Sequence, residues 1–118
     1  MGSGGLMITL IKDATTTGIS QGTSIIDGND TGQDIHSFQV ITNGSPTELI
    51  VSVLGTINGS EYDCIASHTL NATELVNGST IFHLVNKPIP KIKIRIDKLE
   101  GGVSPQVSVY YFKGSVST

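Results

Sequence analysis

Lys91-Ile92-Lys93-Ile94-Arg95-Ile96-Asp97 is the stretch that decides the fold. Isoleucine stands at every second position and a charged residue at every other one. Successive side chains of a strand point to opposite faces, so the segment reads as a strand with one dry and one wet face. The same alternation recurs on either side of it. Leu49, Val51 and Val53 form an inward row with Ile50, Ser52 and Leu54 opposite. Phe38 and Val40 precede them, and Val107, Val109 and Tyr111 follow near the end. Ile, Val and Thr together make up about a third of the chain, and Ala occurs only at positions 14, 66 and 72. β-Branched residues suit pleated sheets, and Ala-poor chains suit helices badly.

Turn chemistry divides these runs. Asn43-Gly44, Asn58-Gly59 and Asn77-Gly78 tolerate positive φ and favour tight hairpins. The first is expected to join a strand at 35–42 to one at 47–54, and the second to join 47–57 to 61–70. The third lies in the link to 79–85. Lys87-Pro88-Ile89-Pro90 leads into the lysine-rich strand, since proline belongs at a strand entrance or an edge. Gly101-Gly102 and Ser104-Pro105 are expected to close a last hairpin into 106–113. With a first strand at 6–12 and a short one at 24–26, the fold class is all-β: about eight antiparallel strands in a jelly-roll-like β-sandwich.

The chain has 118 residues, which fits a single domain over 6–118 preceded by a flexible Gly/Ser arm at 1–5. Charged residues make up 14% of it, against about 25% in a typical domain. With 37% hydrophobic residues, this composition is the opposite of the one that keeps chains disordered. No apolar run approaches the roughly 18 residues of a membrane-spanning helix. A net charge of −3 argues against a general nucleic-acid binder. The lone Cys64 provides no internal disulfide, and no secretion signal is evident at the start, so assembly in a reducing cytoplasm is expected.

Several constellations are candidate sites. Asp27, Asn29, Asp30 and Asp34 place hard oxygen ligands on a glycine-containing loop, as calcium requires, although the spacing departs from an EF-hand; the competing reading is a solvated acidic turn. His68 and His83 would lie opposite each other if 61–70 paired with 79–85, and so begin a zinc site without a specified third ligand. The competing reading is histidines that decorate or lightly pad a sheet, His36 among them. Cys64 alternates with Tyr62 and Ala66 and reads as a small buried hydrophobe. Five Asn-x-Ser/Thr triplets occur, beginning at Asn29, Asn43, Asn58, Asn71 and Asn77, and are read as turn chemistry. Nucleophile-elbow, Walker A and dinucleotide patterns are absent, and nothing selects a catalytic pair among ten acidic residues. The expectation is a protein that is not an enzyme and needs no cofactor. Lys91, Lys93 and Arg95 form a compact positive stripe that either meets an anionic partner or blunts an edge strand against aggregation.

Two passages carry a resemblance. Val51-Ser52-Val53-Leu54-Gly55-Thr56-Ile57-Asn58-Gly59-Ser60-Glu61-Tyr62 resembles a hairpin of galactose-binding-like carbohydrate modules, with Asn58 for the usual Asp and Tyr62 where Trp is commoner. Residues 93–111, with their Ile-x-Ile-Arg-Ile strand, Gly-Gly, Ser-Pro and final Val-x-Val-Tyr-Tyr, resemble the closing hairpin of small sandwich proteins in tailed-bacteriophage virions. Such proteins serve as head-decoration, head-fibre or tail-associated subunits. The resemblance implies a structural virion protein assembled in the host cytoplasm, with major capsid or tail proteins as partners. It also implies self-association, commonly as a trimer, and extended termini that reach neighbours. Leu6 and Met7 at the start and Lys91, Lys93 and Arg95 on the stripe are the protein-contact candidates. The rival class is a carbohydrate-binding module or host-glycan adhesion domain, with Tyr62 and Tyr110 as the sugar-stacking candidates. Tyr110 and Tyr111 are consecutive in a strand, so at most one of them faces outward.

Overall fold

The structure is a computed structural model that describes residues 6–19, 24–25, 34–85, 89 and 91–115. Its elements in chain order are β1 (Leu6–Ala14), β2 (Gly18–Ile19), β3 (Ser24–Ile25), β4 (Asp34–Asn43), β5 (Glu48–Thr56), β6 (Asp63–Thr69), α1 (Ala72–Asn77), β7 (Ser79–Val85), β8 (Lys91–Glu100) and β9 (Gln106–Ser115). One antiparallel sheet runs β1-β9-β4-β7 and the other β2-β8-β5-β6, with β3 also paired to β8. If β2 and β3 are counted as one interrupted strand, this is the order of an eight-stranded jelly roll. The all-β sandwich expected from the alternation is borne out, and the long strands begin and end within a few residues of their expected limits.

The core lies where the dry faces meet. Ile92, Ile94 and Ile96 of β8 and Leu49, Val51 and Val53 of β5 face Phe38 and Val40 of β4 and Val107, Val109 and Tyr111 of β9. Phe38 stacks on Phe82 at 5.1 Å between ring centroids and lies 5.3 Å from Tyr111. The buried imidazole of His36 is hydrogen-bonded through Nδ1 to the Tyr111 hydroxyl at 2.6 Å. This satisfies two polar groups that would otherwise be costly to bury.

The connectivity corrects the expected hairpins. Only the link at Asn58-Gly59, between β5 and β6, joins paired neighbours as expected. Asn43-Gly44 carries the chain from β4 to β5 in the opposite sheet, and Gly101-Gly102 likewise from β8 to β9. The reason is that these two crossovers dock on each other. Val103 N donates to Gly44 O at 2.8 Å, and Thr47 N donates to Glu100 O at 2.9 Å. A Cβ on Gly44 would stand 2.5 Å from Val103 O, and one on Gly102 would stand 2.2 Å from Gly44 O. Glycine is required there for close approach of two backbones as well as for positive φ.

The third link, between β6 and β7, also changes sheet, and it contains a helix that the Ala-poor sequence does not lead one to expect. Asn71 caps α1 by accepting from Glu74 N at 2.8 Å, Glu74 Oε1 accepts from Asn71 N at 2.9 Å, and Gly78 closes the helix in the left-handed region. This is a complete capping box with a glycine stop.

Candidate functional site

The positive stripe lies on the outer face of the β2-β8-β5-β6 sheet, and β8 is flanked by β5 on one side and β2 and β3 on the other. The edge-strand reading is therefore corrected: β2 and β3 pair with Lys91, Ile92, Arg95 and Ile96, so β8 is not the edge strand of its sheet. Most of the cations there are engaged within the chain. Lys93 Nζ sits 4.4 Å from the centre of the Tyr62 ring. Arg95 Nε donates to Asp97 Oδ1, and Asp97 Oδ2 accepts from the buried Ser52 hydroxyl, which in turn contacts Ser67 Oγ at 3.0 Å. Lys98 pairs with Glu48 at 3.1 Å, and this contact, helped by Glu100, raises its ammonium above the usual lysine range. Exposed pairs of this kind contribute little stability, but they leave a flatter electrostatic surface than the alternating sequence suggests.

The tyrosines proposed as a sugar platform lie on opposite sides of the sandwich. Tyr62 belongs to the stripe's side with Lys93 over its ring, whereas Tyr110 is on the outer face of the other sheet, where its hydroxyl accepts from Lys12 Nζ at 3.4 Å. Met7 shares the Tyr110 side, so it does not form one contact surface with Lys91, Lys93 and Arg95. Leu6 pairs with Lys113 through the backbone at the start of β1. Of the calcium candidates, Asp27, Asn29 and Asp30 lie outside the described residues, and Asp34 is the first residue of β4.

The histidines do not face one another. β6 and β7 belong to different sheets, so the expected opposition of His68 and His83 does not occur. His68 instead stacks on Phe82 at 4.9 Å and reaches Glu74 through Nε2 at 3.0 Å. Glu74 also accepts from the Thr80 hydroxyl. That hydroxyl, ahead of the Asn71 N–H and His68, holds the Glu74 carboxyl below the usual carboxylate range. His83 Nδ1 is hydrogen-bonded to Ser37 Oγ at 2.7 Å on the exposed side of the sheet. Cys64 is exposed rather than buried, because β6 is the edge strand of its sheet and the cysteine is on its outward row opposite Leu54.

The feature that sequence reasoning missed is the outer face of the β1-β9-β4-β7 sheet. The register aligns Met7, Phe112, Ser37 and His83 in one row across the four strands, and Thr9, Tyr110, Gln39 and Ile81 in the next. Met7 is 64% exposed, Ile81 56%, Val85 49% and Phe112 46%, far beyond an ordinary scatter of single surface hydrophobes because they share one face. A hollow of about 270 Å³ lies between the rows, lined by Met7, Phe112, Tyr110, Ile81 and His83 among others. Among the described residues, the charges on this face are Lys12 and Asp13 along the β1 margin, where Asp13 meets Ser108. A signal was present in β7: Ile81 and Val85 are apolar in the phase opposite to the inward Phe82 and Leu84, so the strand is greasy on both faces. A second hollow, of about 300 Å³, has a mixed lining. Asn58, Glu61 and Asp63 line it together with Ile57, Ile65 and Ile89. Asn58 is tied into the turn, its Oδ1 accepting from Ser60 N at 2.8 Å and Glu61 N at 3.0 Å.

No protein-family model matches the chain, and no curated protein sequence matches it. Solved structures do. The SPBc2 prophage-derived protein YomS aligns with a TM-score of 0.63 at 13% identity, covering 98% of this chain and 96% of that one. The PBSX exported protein XepA aligns with a TM-score of 0.61 at 14% identity over 98% of this chain, which corresponds to 39% of XepA. The CBM36-1 domain of a multidomain xylanase from the hindgut metagenome of Trinervitermes trinervoides aligns with a TM-score of 0.50 at 9% identity, covering 98% of this chain and 99% of that domain. At such identities the likeness is one of fold, and a fold hosts many functions. The expected resemblance to small sandwich proteins of phage origin is borne out at that level: across nearly its whole length this chain shares the β-sandwich fold of the prophage-derived protein YomS.

Proposed function

We propose that the protein is a non-enzymatic structural component of a phage particle, an accessory capsid-decoration or tail-associated subunit that works through protein–protein contacts. The observation that carries this reading is the apolar outer face of the β1-β9-β4-β7 sheet, on which Met7, Ile81, Val85 and Phe112 are held exposed by rigid strands. Contiguous apolar surface on a sheet with few charges is what a surface covered after assembly needs. The fold shared with YomS over almost the full length of both chains supports a phage setting. On this reading the major capsid or tail proteins are the partners, and assembly takes place in the host cytoplasm. Cosedimentation of the purified protein with intact heads and, separately, with tails of the phage that encodes it is the test. Saturable binding to one of them is expected; binding to neither overturns the reading.

The hollow lined by Asn58, Glu61 and Asp63 beside Ile57, Ile65 and Ile89 favours a second reading, glycan binding. Its lining residues include no aromatic platform, and the ring of Tyr62 is covered by Lys93. A glycan array decides it: a hit abolished by Asp63→Ala supports a sugar site there, and no hit at millimolar sugar removes it.

A further inference from the structure

We propose that the outer face of the β1-β9-β4-β7 sheet is the contact between two copies of this chain, joined back to back about a two-fold axis. This deepens the structural-subunit reading and rests on it for its purpose, by naming the first partner of the same face.

The two outer faces of the sandwich differ in what they can meet. The β8 face carries Lys91, Lys93 and the Arg95–Asp97 pair, charged groups that a contact with a second copy of that face would have to strip of water. The opposite face has no such penalty. Its two central rows contain no acidic or basic side chain other than His83, so it is compatible with its own rotated copy, as an isologous contact demands. A capsid partner chosen by charge would instead be expected to use the cationic side, where the charges are already engaged with Tyr62, Asp97 and Glu48.

The area also suits a dimer. Four strands about 4.8 Å apart and about seven residues long at 3.3 Å each give a patch of about 19 by 23 Å. In projection that is roughly 440 Å² per copy, or about 870 Å² in all, and the relief of the side chains raises the accessible area toward the roughly 1,000 Å² that a specific interface requires. Aromatic residues and methionine are enriched at the centres of interfaces, and Phe112, Tyr110 and Met7 surround the 270 Å³ hollow at the middle of this one. That hollow is large enough to receive one apolar side chain of the second copy, and Phe112 on its rim is the matching projection.

Sedimentation equilibrium of the purified full chain from 1 to 200 µM tests the proposal. A species of about 25 kDa is expected, twice the 12.4 kDa chain mass. Ile81→Lys is expected to weaken association at least a hundredfold, since it buries a charge twice across the axis. Gln39→Arg, a polar-for-polar change in the row between Tyr110 and Ile81, should do so at least tenfold while the thermal melt stays within a few degrees. Lys91→Ala on the opposite face should leave association unchanged. A monomer throughout the range, a trimer of about 37 kDa, or a dimer indifferent to both face variants overturns the proposal. A monomer that still binds particles refutes the dimer and leaves the structural reading standing. A dimer that binds no particle does the reverse.

Discussion

Ile94 is completely buried at the centre of the strand whose alternation implies the fold, paired across the ladder with Val53. Ile94→Ala removes three buried carbons, worth about 2.4 kcal/mol in transfer alone at about 0.8 kcal/mol each. Adding the cavity that rigid β-sheet neighbours cannot close brings the expected loss to about 3–4 kcal/mol. A chain of this length has roughly 6–18 kcal/mol of stability in all, so the variant folds but loses a substantial share of it. The melting temperature should fall by about 12–20 °C, at about 4–5 °C per kcal/mol for a domain of this size. Lys93→Ala is the control one residue away. It loses only the ring contact with Tyr62, about 0.5–1 kcal/mol at an exposed site. Urea unfolding followed by circular dichroism, with thermal melts alongside, measures both. Equal losses for the two variants, or a loss below about 1 kcal/mol for Ile94→Ala, would refute the assignment of dry and wet faces.

Three further outcomes are expected. The Glu74 carboxyl is held below its ordinary value of 4.5, so the stability it contributes is present above that pH and is lost as pH falls through the lowered folded value; Glu74→Gln should flatten the acid limb of a urea-midpoint-versus-pH curve, and an unchanged slope would refute its hub role. Gly101→Ala places a Cβ 2.0 Å from Thr47 Oγ1 at φ +81°, whereas Gly59→Ala at φ +86° meets only Lys91 Nζ at 3.5 Å; both pay the left-handed penalty of about 1–2 kcal/mol, and Gly101→Ala should be clearly the worse of the two in thermal melts. Cys64 is exposed, so it should react with Ellman's reagent in the folded protein without denaturant, and a thiol that reacts only on unfolding would contradict its outward position.

The strands were legible because alternation is local. The isoleucines at 92, 94 and 96 and the valines at 107 and 109 carry their own direction, and neighbours need not be known to read it. Connectivity was less legible. Asn43-Gly44 and Asn58-Gly59 are the same dipeptide, yet the first crosses between sheets and the second closes a hairpin, because Gly44 is held by Val103 from a distant loop. The helix was signalled by Asn71, Glu74 and Gly78, but six residues are too few for periodicity to speak, and Asn71 also fitted a sequon. Lys93 and Arg95 were correctly placed outward, while their partners Tyr62 and Asp97 required the fold. The apolar outer face required it most, since Met7, Ile81 and Phe112 come from three separate strands and meet only through register.

The proposed role as a structural subunit of a phage particle is tested most directly by quantitative mass spectrometry of gradient-purified particles of a phage that carries this sequence. The chain is expected to sediment with the particles at a fixed ratio to the major capsid or tail protein, and Ile81→Lys to lower that ratio. Particles that lack the chain while it accumulates free in the lysate would contradict it.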